Sequence, residues 1–519
     1  MPAEIELKLA LDRAAAPRVG DLARHPAVTA VRSGRLRTAS VVSTYYDTSD
    51  FALERASVAL RVRRDGARWL QTVKGPPLAA EGGALHARSE YEWRIAHPRV
   101  DAKRLAETPW HKLFKKALKH GPLVALFTTD VIRRTLPLAF ADGTTALLAI
   151  DVGAIRAKAP RRPRRPIAEI EIELGHGSTE SLYTLAQDLL DDWPLRVMAA
   201  NKASRGYALV KGGPDGWDAP THAGSIEFAQ DGPSADALRA IAHGCLGHMT
   251  ANVAGLLADA DPEWVHQMRI GTRRLRSCLA LIESFAGPAR VAPLVAETRW
   301  LATLLGAARD WDVFATETLP PLTAALGHEP STAAGFARLR RSVGGYRSQA
   351  RKAAREAVST SRFQRYVLSI GALCATPHFG AHNPTHESAR TFAARLLTHR
   401  HAKVRERGAA LEHGTDEERH AVRIAAKKLR YAAEFFSPPD PRKRNRAYLK
   451  ALSRLQDALG HWHDAVVAAR LTATMPHKAD EATLGAVRGW VAAQTSAVEP
   501  EIADAWTKFQ AAKPFWARG

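Results

Sequence analysis

The hydrophobic period of the chain changes part-way along. Over residues 1–210 apolar and polar side chains mostly alternate, the pattern of strands whose two faces meet different surroundings. In Glu4-Ile5-Glu6-Leu7-Lys8-Leu9 the even positions are charged and the odd ones apolar. The alternation returns in Leu60-Arg61-Val62-Arg63, in residues 88–95, where Glu90 and Glu92 oppose Tyr91 and Trp93, and in Glu169-Ile170-Glu171-Ile172-Glu173-Leu174. Helical insertions are expected around 109–120 and 179–193, the second capped by Ser178 or Thr179. Residues 211–224, KGGPDGWDAPTHAG, read as a linker. From about 225 to 515 the period is helical, in long Ala/Leu/Arg-rich segments separated by Pro and Gly.

The helical half repeats itself. His266-Gln267-Met268-Arg269 with Arg273-Arg274-Leu275-Arg276 matches His420-Ala421-Val422-Arg423 with Lys427-Lys428-Leu429-Arg430. Leu305-Gly306 with Arg309-Asp310 matches Leu459-Gly460 with His463-Asp464 at the same offset. Two motifs keeping one offset predict two copies of a helical bundle, about 225–375 and 380–515. At 100° per residue Arg269, Arg273 and Arg276 share a stripe with His266, and Met268, Leu275 and Leu279 face the opposite side. Like charges at such spacing oppose the helix by a few tenths of a kcal/mol per pair. An external anion, or carboxylates such as Asp310, Asp312 and Asp464, would offset them.

In the first half, a single alternating strand is what any sheet with one wet face shows. Several together say more. Arg61 and Arg63, Lys74, Arg88 with Glu90 and Glu92, Arg133, Asp151 and the Glu169/Glu171/Glu173 ladder put both signs of charge on one face, and the opposite faces are apolar. A sheet closed on itself with its charges inward satisfies both requirements. Its lumen would hold a hard divalent cation on carboxylates and phosphate oxygens on Arg and Lys; Mg²⁺ or Mn²⁺ suits such ligands.

Composition narrows the partners. The 519 residues carry a formal charge of +21 with 46% hydrophobic content, a soluble multidomain chain suited to a polyanion. No uninterrupted apolar stretch has membrane-spanning length, so no membrane partner is expected. The acidic start MPAEIELKLA and three cysteines in no ligand spacing (Cys245, Cys278, Cys374) suit the cytoplasm. Specific nucleic-acid binding is not expected, because no basic surface interleaved with aromatics is apparent. The run Arg161-Arg162-Pro163-Arg164-Arg165-Pro166 reads as a solvated loop.

Glu4-x-Glu6-x-Lys8 resembles the opening motif of the CYTH superfamily, the triphosphate tunnel metalloenzymes. Further blocks follow in the family's order: Tyr45-Tyr46-Asp47-Thr48, Leu60-Arg61-Val62-Arg63, Thr72-Val73-Lys74, residues 127–133, Asp151, Glu169-x-Glu171-x-Glu173 and Lys202-x-x-Arg205-Gly206. The resemblance covers about 1–210. It implies an eight-stranded antiparallel β-barrel, a tunnel with flanking helices, that hydrolyses a triphosphate. It also implies that Glu4, Glu6, Asp151 and some of Glu169, Glu171 and Glu173 serve Mg²⁺ or Mn²⁺. Lys8, Arg61, Arg63, Lys74, Arg133, Lys202 and Arg205 would bind the phosphate chain, and Glu4, Glu6, Lys8 and Asp151 form the catalytic set. Arg134 competes with Arg133 for its place; the spacing after Phe127-Thr128-Thr129 favours Arg133.

The second half resembles the CHAD domain, on its two His-x-x-Arg helices and on Leu-Gly-x-x-Arg-Asp-x-Asp at 305–312. The second copy departs from it, with His463 in place of Arg309 and Val466 in place of Asp312. The resemblance implies an all-α domain binding polyphosphate through His266, Arg269, Arg273, Arg274, Arg276, His420, Arg423, Lys427, Lys428 and Arg430. The expected protein is thus an α+β chain, an inorganic triphosphatase joined to a polyphosphate binder, with association to polyphosphate granules as a corollary. Competing readings keep the tunnel but change the substrate to thiamine triphosphate or a nucleoside triphosphate, adenylate cyclisation included, or make the chain a polyphosphate-binding protein without turnover.

Overall fold

The computed structural model describes residues 3–11, 18–78, 82–158, 164–212, 219–258, 261–327, 330–380, 387–412, 414–437, 443–475 and 481–516. Residues 161–163 of the basic run and 213–218 of the expected linker lie outside them.

Nine strands form in the first half: β1 (Ala3–Leu11), β2 (Arg37–Asp47), β3 (Ala59–Asp65), β4 (Arg68–Pro77), β5 (Leu85–Ile95), β6 (Val124–Ala139), β7 (Thr145–Ala157), β8 (Arg165–His176) and β9 (Leu195–Val197). They pair antiparallel in the order β5-β4-β3-β2-β6-β7-β8-β1-β9, and β5 also pairs with β1. β1 to β8 are therefore a closed eight-stranded antiparallel barrel, with β9 added alongside β1. Closure removes the exposed edges that an open sheet must protect.

The period-two pattern sorts the two faces. Outward residues Leu7, Leu9, Leu148, Ile150, Ile170 and Ile172 are buried beneath Leu182, Leu185 and Leu189 of the helix Thr179–Asp192. That helix starts on Ser178, whose hydroxyl accepts the Glu180 N–H at 3.1 Å. On the β3–β4 side Leu60 and Val73 pack with Phe114 of the helix His111–His120. These two helices occupy the places expected for insertions at 179–193 and 109–120.

The inward face is not uniformly charged. Val41, Tyr45, Phe127, Val131, Ile155 and Ile167 share a strand face with the lumen residues, and they cluster with Tyr207 and Leu209 of the helix Lys202–Lys211. Gly206 lets that helix approach: a β-carbon there would come within 2.0 Å of the Phe127 ring. Tyr207 Oη donates to Asp47 at 3.0 Å, and Asp47 also accepts the Thr48, Leu53 and Glu54 N–H groups. The helix ends at Gly212, whose φ of 81° is the left-handed conformation glycine tolerates.

The rest of the chain is largely helical. Two compact units divide the protein: Met1–Gly224 with Ala242–Gly271 and Ala357–Gly380, and Ser225–Ile241 with Thr272–Glu356 and Ala381–Gly519. The first unit thus includes the helix Ser361–Ala375, whose Leu368 and Ala375 join the core over the barrel. In the second unit, Val422 and Leu429 of the helix Asp416–Phe435 pack with Leu452, Leu459 and Trp462 of the helix Lys443–Ala473. The former begins with a capping box between Thr415 and Glu418. A second cluster joins Trp311 and Phe314 to Leu339, Leu471 and Val487. Among the described residues no helix is long and apolar enough to cross a membrane, and all three cysteines are buried thiols.

Candidate active site in the barrel lumen

Strand register brings the charges together. Glu6 lies opposite Glu173 and His86, Lys8 opposite Glu171, Asp151 opposite Glu169, and Arg133 opposite Asp151. The inner wall encloses a cavity of about 470 Å³ lined by six carboxylates (Glu4, Glu6, Glu90, Glu92, Glu171, Glu173) and seven cationic side chains (Lys8, Arg61, Arg63, Lys74, Arg88, Arg133, Lys202). Tyr45, His86 and Asn201 complete its polar lining, and no Ser, Thr or Cys is among its lining residues. Arg134 lies opposite Ile150, on the other face, so the spacing after Thr129 chose the lumen arginine.

Two carboxylate groups differ in their company. Ligand atoms of Asp151, Glu169 and Glu171 all lie within 4.8 Å of one another. Cations fill the space among them. Lys202 Nζ is 2.8 Å from Asp151 and 2.9 Å from Glu171, and it also contacts Glu169. Arg133 reaches Asp151 at 2.6 Å and Glu171 at 2.7 Å, Lys8 reaches Glu171 at 2.5 Å, and Arg205 reaches Glu169 at 3.2 Å. Burial opposes the charged form of Glu171, but Lys202, Lys8 and Arg133 outweigh it and hold the carboxyl well below its usual range. Asp151 is lowered in the same way, chiefly by Lys202 and Arg133 acting against burial. Burial likewise disfavours the Lys8 ammonium, and Glu171 with Glu6 more than compensates. Asp151 and Glu169 are fully buried and, like Arg205, lie behind the cavity wall rather than on it.

In the second group Lys8 Nζ lies 2.8 Å from Glu6, and the crowding falls on Glu173. Glu173 is pushed up to about 7 by burial and then by Glu4 and Glu6. Lys74 contacts Glu4 and lies 3.6 Å from Glu90. A hard divalent ion on oxygen ligands would relieve this crowding, so Glu4, Glu6 and Glu173 fit a metal by charge. The Asp151/Glu169/Glu171 group already has its counter-charges in Lys202, Arg133, Lys8 and Arg205.

Across the lumen, Arg61 lies 3.5 Å from Glu90, and Arg63 lies 3.0 Å from Glu92, which also accepts the Thr72 hydroxyl at 2.9 Å. Burial and neighbouring Arg61 lower the Arg63 pKa. Such crowding of cations favours an anionic ligand. Sequence reasoning placed Arg88, Glu90 and Glu92 on the charged face but not in the site; their alternation was the available signal. His86, Tyr45 and Asn201 it missed. Asn201 had one signal, its place as an N-cap, confirmed by the Ser204 N–H donating to it at 2.9 Å.

The basic residues of the helical half have varied settings. Arg274 is buried over the Phe435 ring at 5.5 Å, and Arg273 lies 5.9 Å over Tyr431. Partial desolvation of the otherwise exposed Arg276, with Arg273 and Arg299 nearby, lowers its pKa. His420 faces His463 with ring centroids 5.3 Å apart, and burial with Arg423 and Lys427 lowers its pKa. Arg423 is buried, Lys428 and Arg276 are exposed, and Arg430 donates to Glu434 at 2.6 Å. His266 and Arg269 are half-buried on the first-unit part of their helix. Asp312, fully buried, holds Arg347 at 2.6 Å, and Asp310 holds Arg470 at 3.2 Å.

A closed antiparallel barrel with a mixed-charge lumen, followed by helices, defines a two-part tunnel protein. Residues 2–207 match the CYTH domain family, and residues 240–473 match the CHAD domain family. The chain is a CYTH–CHAD protein. It is 29% identical over 208 residues to the inorganic triphosphatase of Haemophilus influenzae, a match covering 40% of this chain and 54% of that protein. It is 33% identical over 174 residues to an uncharacterised protein of Mycobacterium tuberculosis, covering 33% of each. The chain thus spans about half the length of the first curated relative and a third of the second. The crystal structure of the CHAD domain from the plant Ricinus communis is 32% identical, with a TM-score of 0.50, covering 57% of this chain and 98% of that one.

Proposed function

We propose that the protein hydrolyses inorganic triphosphate in its barrel lumen and binds polyphosphate on its helical half. The observation that carries the first part is the 470 Å³ cavity walled by seven cationic side chains and six carboxylates. Lys8, Arg61, Arg63, Lys74, Arg88, Arg133 and Lys202 hold phosphate oxygens. Transfer of a terminal phosphoryl group passes through a loose transition state that needs positioning and charge neutralisation more than covalent help. Glu4, Glu6 and Glu173 would hold Mg²⁺ or Mn²⁺, which when bound neutralises phosphate oxygens and favours ionisation of water. Direct in-line attack by water on the terminal phosphorus is the step this reading assigns. Its apolar lining is confined to Ala59 and Ala203 beside Tyr45, which supports a bare phosphate chain over a nucleotide or thiamine ester.

A phosphate-release panel over triphosphate, ATP, thiamine triphosphate and long polyphosphate, with Mg²⁺ and with Mn²⁺, tests this reading. Triphosphate is expected to be turned over best. Turnover of none of them, with polyphosphate still bound, makes the chain a binding protein. The exposed side chains of Arg276 and Lys428 support the second part. Charge reversal at Arg269, Arg273, Arg423 and Lys427 is expected to weaken polyphosphate binding and flatten its salt dependence; unchanged affinity removes those residues from the site.

A further inference from the structure

The helix Ser361–Ala375 lies in the stretch that matches the CHAD family, yet it packs within the barrel's own compact unit. Gln364, near its start, is buried at 3% exposure. Its side-chain oxygen accepts the Val197 N–H at 2.8 Å, and its amide donates to the Val358 carbonyl at 2.8 Å. Val197 ends β9, the short strand laid alongside β1. A backbone N–H on that strand is met from outside by a side chain 167 residues further on.

The residues that follow connect to lumen-lining residues. Met198 N–H donates to the Lys8 carbonyl at 3.2 Å. The Met198 carbonyl accepts His86 Nε2 at 2.8 Å, and His86 lines the cavity opposite Glu6. Asn201 lines the cavity and caps the helix that begins with Lys202, itself in contact with three buried carboxylates. Six residues therefore link one outside hydrogen bond to Lys8, His86, Asn201 and Lys202.

We propose that Gln364 is a positioning residue for the lumen: it anchors residues 197–202 so that Lys8, His86 and Lys202 keep the spacing a phosphate chain requires. A strand of three residues has few ladder bonds of its own, so losing one anchor loosens the segment rather than the barrel. The helix has an internal control. Gln187 donates to Ser369 at 3.1 Å and ties the same helix to the helix Thr179–Asp192, and neither residue lines the cavity.

The proposal rests on the triphosphatase reading, and the test separates the two. In the full-length protein, Gln364→Met, Gln364→Glu and Gln187→Ala are compared with wild type by melting temperature, by kcat and KM for triphosphate with Mg²⁺, and by calorimetric Kd for triphosphate in EDTA. Gln364→Met is expected to raise KM and Kd about five-fold or more. Gln187→Ala should leave KM and Kd within two-fold whatever its effect on the melting temperature. Gln364→Glu in its protonated form retains both the acceptor for the Val197 N–H and a donor for the Val358 carbonyl, and should recover most of the affinity. Equal effects of Gln364→Met and Gln187→Ala on KM and Kd, or unchanged values in a folded Gln364→Met protein, overturn the assignment. If wild type releases no phosphate from triphosphate, the activity reading fails alone, and the order of Kd values among the same variants decides the role of Gln364.

Discussion

Replacing Lys202 by methionine isolates what the buried carboxylates need. The Lys202 ammonium touches Asp151, Glu169 and Glu171, whose side chains are 0%, 1% and 9% exposed. Methionine fills similar space and removes the charge. Arg133 and Lys8 remain for Asp151 and Glu171, and Arg205 for Glu169. Taking one partner from a buried ionic cluster costs about 3–5 kcal/mol, and the surviving partners argue for the lower end, about 3. For a unit of this size that is a fall in melting temperature of roughly 6–12 °C. Asp151 and Glu171 are held below their usual values, against burial, first of all by Lys202. The stability they confer is present above the ordinary carboxylate range and fades as pH falls through their lowered folded values. Without Lys202 that lowering shrinks, so the gap between variant and wild type should hold from pH 7.5 to about 5 and narrow below it, on going down to about pH 3. Mg²⁺ should partly restore the variant, because the three carboxylates lie at metal-binding distances from one another. Thermal melts in EDTA across this pH range, then with Mg²⁺, make the measurement. A loss below about 1 kcal/mol at pH 7.5, or a gap independent of pH, would refute the reasoning.

Glu6→Gln removes one carboxylate from the crowded wall and keeps its shape; phosphate release should fall by about 100-fold or more while the melting temperature changes by only a few degrees. Unchanged turnover at saturating Mg²⁺ sinks the carboxylate–metal assignment. Glu173, raised to about 7 by burial and by Glu4 and Glu6, has the opposite sign from Asp151: its contribution is present below the ordinary carboxylate value and is lost as pH rises through about 7. A divalent ion binds the ionised form, so the rise in melting temperature on adding Mg²⁺ should be larger at pH 8 than at pH 5.5. Equal rises would place the ion away from Glu173.

Period-two alternation made the barrel readable because closure sets an apolar outer face against an inner face that carries the charges. It also separated Arg133 from Arg134, since neighbours on a strand point opposite ways. What it could not convey is depth. Asp151, Glu169, Glu171 and Glu173 share the inward side, yet the first two are sealed behind Lys202 and Arg133 while Glu173 faces the cavity. Strand tilt and the packing of the helix Lys202–Lys211 decide that, and neither has a local sequence mark. Phe127 and Ile155 show the same limit: apolar residues on the lumen side meet a helix from far along the chain. His86 and Gln364 were hidden for a related reason, their roles resting on contacts 112 and 167 residues away.

The repeated motifs of the helical half do not have repeated surroundings, and the difference predicts a division of labour. Arg274 and Lys428 correspond by the common offset, as do Leu281 and Phe435, and Ser277 and Tyr431. Arg273 and Arg274 lie over Tyr431 and Phe435, where a guanidinium gains about 0.5–2 kcal/mol from the ring face. By the same offset Tyr431 and Phe435 correspond to Ser277 and Leu281, which carry no aromatic ring. Arg274 is accordingly buried and Lys428 exposed. Arg274→Met should therefore lower stability by about 1–2 kcal/mol and leave polyphosphate affinity within two-fold. Lys428→Met should do the reverse, weakening binding and lowering its salt dependence by about one phosphate contact at unchanged stability. Melting curves and binding isotherms at two salt concentrations on the same pair of variants decide it. A polyphosphate defect in the Arg274 variant as large as that in the Lys428 variant would mean that the buried guanidinium, and not the exposed ammonium, meets the anion.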